Sequence, residues 1–274
     1  MNELKIYVAC HKPDKIRQDG IHVPIHVGRS MSVYQNEMAD MIGDDTGDNI
    51  SDKNPLYCEL TAQYWVWKNI DDLEYVGFCH YRRFFKINSD KDYVLRILSQ
   101  YSFITLKCTC YIPIYIGLIN FIGMEDFTIL LMVLKKKYPD YEQSIIKYLR
   151  GNIFYPKNMF ICKKEFFDNY ASWLFDVLFE CEKYMRLSSY TRARRHLAYI
   201  GEYLLSVYLI HNRYKIKVVK EEEKVYRTCR HIIGVQLRNI AHFIILCILK
   251  KQHKIEDFYD PAVLVGFKND GIII

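Results

Sequence analysis

The chain has 274 residues, of which half are apolar and about a quarter are charged. This mixture is typical of a globular protein with a substantial core, and it excludes a disordered or fibrous chain. The net charge of +6 does not by itself indicate nucleic-acid binding, and the basic residues do not collect into one stripe. We therefore expect no nucleic-acid partner.

Strand and helix patterns alternate along the chain. Apolar runs predict strands at 4–10, 74–81, 102–106, 158–164 and 214–219. Helical periodicity predicts helices at 55–69, 93–101, 124–138, 139–149, 165–185 and 197–212. Segment 22–30 indicates a loop or short edge strand, and 41–54 a loop before Asn54, which we expect to cap the first helix. The alternation predicts an α/β fold, a mostly parallel sheet flanked by helices.

The C-terminal segment differs from the rest. No repeat or low-complexity linker divides the chain, so we predict a single domain over 1–227 and a helical extension over 228–274. No stretch is long enough for a convincing transmembrane helix, but "IAHFIILCILKK" (240–251) predicts either a core helix or a segment lying on a membrane surface.

Nine cysteines would suggest disulfides only in a small secreted chain, and this large chain opens without a signal-peptide pattern. Most of them lie in apolar runs, where cysteine is usually a small buried hydrophobe. "KCTC" (107–110) has no second pair at zinc spacing. We expect reduced cysteines, a cytoplasmic location and no metal site.

Cationic side chains follow the strand in "EYVGFCHYRRFF" (74–85), namely His80, Arg82 and Arg83. Ligands of such sheets bind beyond the carboxyl ends of the strands. Arginine presents a planar fork of donors that fits phosphate oxygens, and a neutral histidine can donate one hydrogen bond to an anion. The cluster is therefore a candidate diphosphate site. Two surface arginines in ion pairs, with His80 in the core, explain it equally well.

The loop "GDNISDKNP" (47–55) supplies two further candidates. Lys53 could add a point charge near a helix N-terminus, and Asn49 could hydrogen-bond a sugar hydroxyl. An ordinary turn is the alternative. Glu59 falls on the aromatic-rich helix that follows, and we interpret it as a packing residue.

Four carboxylates are candidates for a general base: Asp44, Asp45, Asp48 and Glu202. Glu202 lies beside a glycine in "LAYIGEYLL" (197–205), at the start of a predicted helix. The alternative for Glu202 is a carboxylate stabilised by the positive end of the helix dipole.

Two neighbouring motifs carry a family resemblance. "DNISDKNPLYCELTAQYWVWKN" (48–69) followed by 74–85 resembles the signature of the DUF4422 family, glycosyltransferases often encoded with capsular and O-antigen polysaccharide genes. Further segments resemble the same family, so that the likeness covers roughly 4–220: they are "KIYVACHK" (5–12), 138–141, 158–178 and 199–209.

The resemblance implies a GT-A-like nucleotide-sugar fold. GT-A enzymes usually hold a divalent metal with an acidic motif where this chain has "CHYRR" (79–83), so we expect cationic side chains to replace the metal, with no cofactor. The resemblance also implies Glu202 as the base that deprotonates the acceptor. The residue after it, Tyr203, departs from the basic residue that the family pattern leads us to expect. The expected donor-binding residues are Ala9, His11, Lys12, Asn49, Lys53, His80, Tyr81, Arg82 and Arg83.

The resulting hypothesis is a glycosyltransferase (hexosyltransferase) that moves a sugar from a UDP-sugar to a hydroxyl of a lipid-linked oligosaccharide in capsular or O-antigen polysaccharide synthesis. UDP-galactofuranose is one candidate donor. The alternative is a non-catalytic nucleotide-sugar or carbohydrate-binding protein of a polysaccharide assembly complex. We expect the protein in the cytoplasm, and the sequence leaves open whether it also associates peripherally with the anionic inner face of the cell membrane.

Overall fold

A computed structural model describes residues 3–17, 19–222, 231–249 and 251–274. The chain divides into two compact units. The first contains Met1–Lys107, Tyr155–Trp173 and Arg213–Val225, and the second contains Cys108–Phe154, Leu174–Asn212 and Tyr226–Ile274. The predicted boundary at 227/228 lies outside the described residues, so it stays a prediction.

The elements follow one another in the predicted alternation. The strands are β1 (Leu4–Cys10), β2 (His22–His26), β3 (Ile42–Gly43), β4 (Tyr75–His80), β5 (Phe103–Thr105), β6 (Cys108–Thr109), β7 (Ile153–Phe154), β8 (Phe160–Lys163) and β9 (Ile216–Val218). The helices are α1 (Asn54–Tyr57), α2 (Leu60–Asn69), α3 (Lys91–Leu98), α4 (Ile114–Ile122), α5 (Met124–Lys137), α6 (Glu142–Arg150), α7 (Lys164–Glu182), α8 (His196–His211), α9 (His231–Ile248) and α10 (Pro261–Asn269). All five predicted strands are present.

A seven-stranded sheet forms the framework of the first unit. Its strand order is β3-β2-β1-β4-β8-β5-β9. Every pair is parallel except those that β8 makes with β4 and β5, so β8 alone runs in the opposite direction. This architecture confirms the predicted α/β class with a mostly parallel sheet.

The two faces of the sheet bury different side chains. On one face, aliphatic residues such as Ile6 and Val8 share a buried cluster with Val94 of α3. On the other face, the Phe78 ring lies 4.9 Å from that of Phe167, at the start of α7. Burying an aliphatic or aromatic side chain of this size contributes about 1.5–3 kcal/mol, so helices cover both faces of the sheet.

The helix predicted over 55–69 is interrupted, and the predicted cap is wrong. Cys58 has φ 48°, a left-handed value that ends α1 before α2 begins. The Asn54 side chain does not cap the helix; it donates to the Cys58 carbonyl at 2.8 Å and to Thr61 Oγ1 at 3.2 Å. The helical spacing of apolar residues in the sequence continues across this break. The sequence therefore contains no sign that two helices replace one.

The second unit is mainly helical and is organised around α8. Twelve of the sixteen residues of α8 are buried, so it is a core helix. Among the described residues, no single helix is long and apolar enough to cross a bilayer; α4 and α5 satisfy that test only as a pair bent by 117°. The sequence analysis does not predict α4, whereas α9 and α10 fall within the segment predicted to be a helical extension.

Asp126, in the first turn of α5, carries a perturbed carboxyl group. Burial, and secondly the charge of Glu125, raise its pKa from 3.8 to about 7. The folded protein therefore binds this proton more tightly than the unfolded chain. The resulting stabilisation is present below pH 4 and is lost as the pH rises through about 7.

We expect Asp126→Asn to melt at a higher temperature than the wild type at pH 8 and at a similar temperature at pH 4. A three-unit shift sets an upper limit of about 4 kcal/mol, and partial exposure reduces the expected gain to about 1–2 kcal/mol. Thermal melts followed by circular dichroism at pH 4 and pH 8 measure the difference in melting temperature. Asp92→Asn, an exposed first-turn substitution in α3, is the matched control. Equal stability of Asp126→Asn and wild type at pH 8 would contradict the perturbed pKa.

A cationic candidate site at the carboxyl edge of the sheet

The turn that follows β4 is the centre of the candidate site. The backbone groups of His80 and Arg83 hydrogen-bond to each other in both directions, at 3.3 and 2.9 Å, which closes a tight turn. Parallel pairing sets Ala9 of β1 beside His80 of β4, and the Tyr81 amide donates to the Ala9 carbonyl at 3.3 Å. The His11 ring meets the Tyr81 ring edge-on at 5.2 Å. The segments after β1 and β4 are therefore brought together as predicted.

Arg82 is half-exposed and held from two sides. Its guanidinium lies 4.8 Å from the centre of the Tyr81 ring, and its Nε is 3.5 Å from Asp14 Oδ2. Burial raises the pKa of the Tyr81 hydroxyl. Since a guanidinium has five N–H donors, this ion pair leaves others that can reach an anion.

Arg83 takes part in a second group of charges. Its Nε is 3.6 Å from Glu221 Oε1, and the Lys157 ammonium forms an ion pair with the other oxygen of the same carboxylate. Both arginine side chains are 49 % exposed. The alternative interpretation from the sequence, arginines in ion pairs, is therefore correct as far as these contacts go, and the pairs also hold the cations at the sheet edge.

His80 has a structural contact of its own. Its Nε2 lies 2.8 Å from the Lys157 carbonyl oxygen. A carbonyl only accepts, so Nε2 carries the hydrogen and donates it to this loop. The predicted hydrogen bond from His80 to an anion stays a prediction, and Nε2 is already engaged.

The site carries an excess of positive charge. Three cations, Arg82, Arg83 and Lys157, lie among two carboxylates, Asp14 and Glu221. Lys12 follows β1 directly at the same edge and adds a further positive charge. An anion with two or more charges would balance this excess.

Three of the candidate bases are used within the loops after β2 and β3. Asp44 is fully buried and accepts hydrogen bonds from the Gly28 and Arg29 amides at 2.8 and 3.1 Å and from Ser51 Oγ at 2.5 Å. Asp48 accepts from the Tyr64 hydroxyl at 3.0 Å. The Asp45 carboxylate lies 4.0 Å from the Arg29 guanidinium. Asp44 and Asp48 therefore have a structural role, because their hydrogen bonds hold these loops together.

Asn49 and Lys53 lie in the segment that follows β3, a strand whose carboxyl end is at the same edge of the sheet and three strand positions from β4. The Asn49 side chain closes its own turn, donating to the Gly47 carbonyl at 3.0 Å and accepting from the Ser51 amide at 3.2 Å. That Asn49 and Lys53 bind the same ligand as the β4 turn stays a prediction.

Glu202 belongs to the second unit, on α8. The helix begins at His196, so Glu202 lies in the second turn and the predicted position at a helix start is wrong. The side chain is half-buried. The next residue, Tyr203, packs against Phe154 at 4.7 Å, and burial raises the pKa of its hydroxyl. The role of Glu202 as a base stays a prediction.

Sequence reasoning missed the loop that precedes β8. Lys157 and Asn158 both have left-handed backbones, with φ 72° and 51°. Asn158 Nδ2 donates to Glu59 Oε1 at 2.7 Å, so Glu59 makes a polar contact that its interpretation as a packing residue does not include. The available signal was an asparagine, which tolerates left-handed backbone, two residues before a strand.

One protein family matches most of the chain. A family described as "Domain of unknown function (DUF4422)" matches residues 5–213. The chain belongs to the DUF4422 family. The membership expected from segments 48–69 and 74–85 is therefore confirmed. A comparison with curated proteins finds no match.

A solved structure also resembles this member of the DUF4422 family. The apo structure of the WbbM bifunctional glycosyltransferase is 28% identical, with a TM-score of 0.70, over 80% of this chain and 45% of that chain. The fold is thus a glycosyltransferase fold, as expected. The chain spans less than half of the WbbM chain.

We expect inorganic pyrophosphate to bind the cationic turn in the presence of EDTA. Arg82→Ala and Arg83→Ala should each raise its Kd at least about tenfold, because a charge-assisted hydrogen bond contributes about 1.5–3 kcal/mol. Glu221→Gln should lower the Kd, since it removes the carboxylate beside Arg83. Titration calorimetry measures the Kd of pyrophosphate for the wild type and the three variants.

The control is Arg96→Ala, an exposed arginine on α3 of the same unit. It should bind pyrophosphate as the wild type does. If the two turn variants also bind like the wild type, the anion does not sit on this turn.

Proposed function

We propose that this chain is a glycosyltransferase that moves a sugar from a UDP-sugar to a hydroxyl of a lipid-linked oligosaccharide, in capsular or O-antigen polysaccharide synthesis. The observation that supports it most is the cationic turn after β4, at the carboxyl edge of a sheet that has a glycosyltransferase fold. Nucleotide ligands of α/β sheets bind at that edge. UDP-galactofuranose is one candidate donor.

The reaction needs stabilisation of a leaving diphosphate. The acceptor oxygen attacks the anomeric carbon, the bond from that carbon to the β-phosphate oxygen breaks, and UDP leaves with the bonding electron pair. Negative charge therefore grows on the β-phosphate. Arg82 and Arg83 are already oriented by their carboxylate partners, so they would stabilise this charge with little reorganisation.

The acceptor proton needs a base. We assign this role to Glu202 on the strength of the family resemblance, and the acceptor hydroxyl would transfer its proton to that carboxylate as it attacks. Since the cationic side chains supply positive charge at the β-phosphate, the proposed reaction is independent of a divalent metal. The competing function is a nucleotide-sugar-binding protein without turnover.

We expect UDP and UDP-sugars to raise the melting temperature of the wild type in EDTA, because a ligand that binds only the folded state stabilises it. Glu202→Ala should keep this stabilisation while losing at least about a hundredfold in transfer rate, the usual contribution of a general base. A radiolabelled transfer assay with lipid-linked acceptors measures the rate. Glu165→Gln, at an exposed position on α7, is the control.

Three outcomes separate the alternatives. Binding of UDP-sugars with no transfer to any acceptor supports the non-catalytic function. Stabilisation that requires added Mn²⁺ contradicts metal independence. Unchanged turnover in Glu202→Ala contradicts the assigned base.

Membrane association has support in one helix of the second unit. The exposed side of α9 carries apolar side chains that are each more than half exposed: Leu237, Ile240, Phe243, Ile244 and Ile248. Their spacing of three and four residues aligns them along one stripe. Exposed Lys251 and Lys254 follow the helix. An apolar stripe with adjacent lysines fits the surface of an anionic bilayer, where a lipid-linked acceptor would lie.

We expect the wild-type protein to float with vesicles of phosphatidylglycerol and phosphatidylcholine. The double substitution Phe243→Ser and Ile248→Ser should reduce the bound fraction at least about tenfold, since each buried side chain contributes about 1.5–3 kcal/mol. Val33→Ser, at a position that is 83% exposed in the first unit, should float normally. Equal flotation of the double variant and wild type would contradict this surface.

A further inference from the structure

A carboxylate and two amides form a polar cluster in the first unit. Asn158 Nδ2 donates to Glu59 Oε1 at 2.7 Å, and Gln63 Nε2 donates to the Asn158 backbone carbonyl at 3.1 Å. Asn158 and Gln63 are each 1% exposed, whereas Glu59 is half-buried. Two buried amides therefore orient one carboxylate that remains partly accessible.

The cluster is short of hydrogen-bond donors. Both amide orientations are determined, because a carboxylate and a carbonyl can only accept. The amide oxygens Asn158 Oδ1 and Gln63 Oε1 then point away from these two acceptors, and neither has a hydrogen-bond donor among the described residues. Leaving a buried acceptor unpaired is unfavourable, because its hydrogen bond to water is lost without replacement.

The cluster adjoins the cationic turn. Strand β8 is antiparallel to β4, so the loop before β8 returns to the edge where β4 ends. His80 Nε2 donates to the carbonyl of Lys157, the neighbour of Asn158. A group attached to a diphosphate on the cationic turn would thus enter the surroundings of Glu59.

The backbone around the cluster is strained. Cys58, Lys157 and Asn158 all have positive φ, at 48°, 72° and 51°. Such conformations are uncommon for residues other than glycine and persist where the surrounding structure imposes them. Cys58 directly precedes Glu59, and Asn158 is its hydrogen-bond partner. The uncommon backbone conformations therefore occur at the residues that position this carboxylate.

We propose that Glu59 accepts hydrogen bonds from hydroxyl groups of the donor's sugar, and that Asn158 and Gln63 are positioning residues for it. A sugar hydroxyl can donate a hydrogen bond to this carboxylate, which stays partly accessible and is oriented by Asn158. A cationic ligand is disfavoured, because Lys157 and the turn arginines already make this edge positive. The inference rests on the proposed function, since the sugar is brought there by its diphosphate.

The test compares UDP with UDP-glucose, UDP-galactose and UDP-galactofuranose by titration calorimetry. Glu59→Gln should change the Kd of UDP less than twofold and raise the Kd of the bound UDP-sugar at least tenfold. Asn158→Ala should act in the same direction, with a larger effect on KM than on kcat. Glu165→Gln is the control. Glu59→Asp keeps the charge and withdraws it by one methylene, and it replaces Glu59→Gln if that variant does not fold.

The outcomes distinguish the two proposals. If the wild type binds none of the four compounds, the proposed function fails and this inference fails with it. If the wild type binds a UDP-sugar and Glu59→Gln binds it equally well, only the inference is overturned. An equal loss of UDP and UDP-sugar affinity also overturns it, because Glu59 would then act on the nucleotide.

Discussion

The parallel pairing of β1 with β4 is the constraint on which the candidate site depends. The register sets Ala9 beside His80, so both strands end at the same level and their loops meet. His11 and Tyr81 pack together there, and Tyr81 supports the Arg82 guanidinium. Because backbone hydrogen bonds fix the register, the cations occupy defined positions before any ligand arrives.

Clustered cations repel one another, and the structure offsets this with carboxylates that come from elsewhere in the chain. Asp14 faces Arg82, and Glu221 faces both Arg83 and Lys157. These pairs are half-exposed, so each contributes little stability and serves mainly to orient the side chains. Orientation without full neutralisation is what a binding site for a multiply charged anion requires.

The reversed strand β8 gives the first unit its second polar feature. Because β8 runs opposite to its neighbours, the loop before it lies where the other strands end. That loop places Asn158 against Glu59, at the beginning of α2. A cationic turn and a fixed carboxylate therefore share one edge, and the two together match a ligand with a charged part and a hydroxyl-bearing part.

The sequence by itself determined five of the strands, the α/β class, the family and the turn with His80, Arg82 and Arg83, because periodicity and local motifs depend on neighbouring residues. Only the tertiary structure decided the partners of that turn. Asp14, Lys157 and Glu221 are far apart in the chain, and the break at Cys58 leaves the apolar pattern unchanged. Glu59 shows the reason most clearly: its contact with Asn158 spans 99 positions, and it exists because a single strand is reversed.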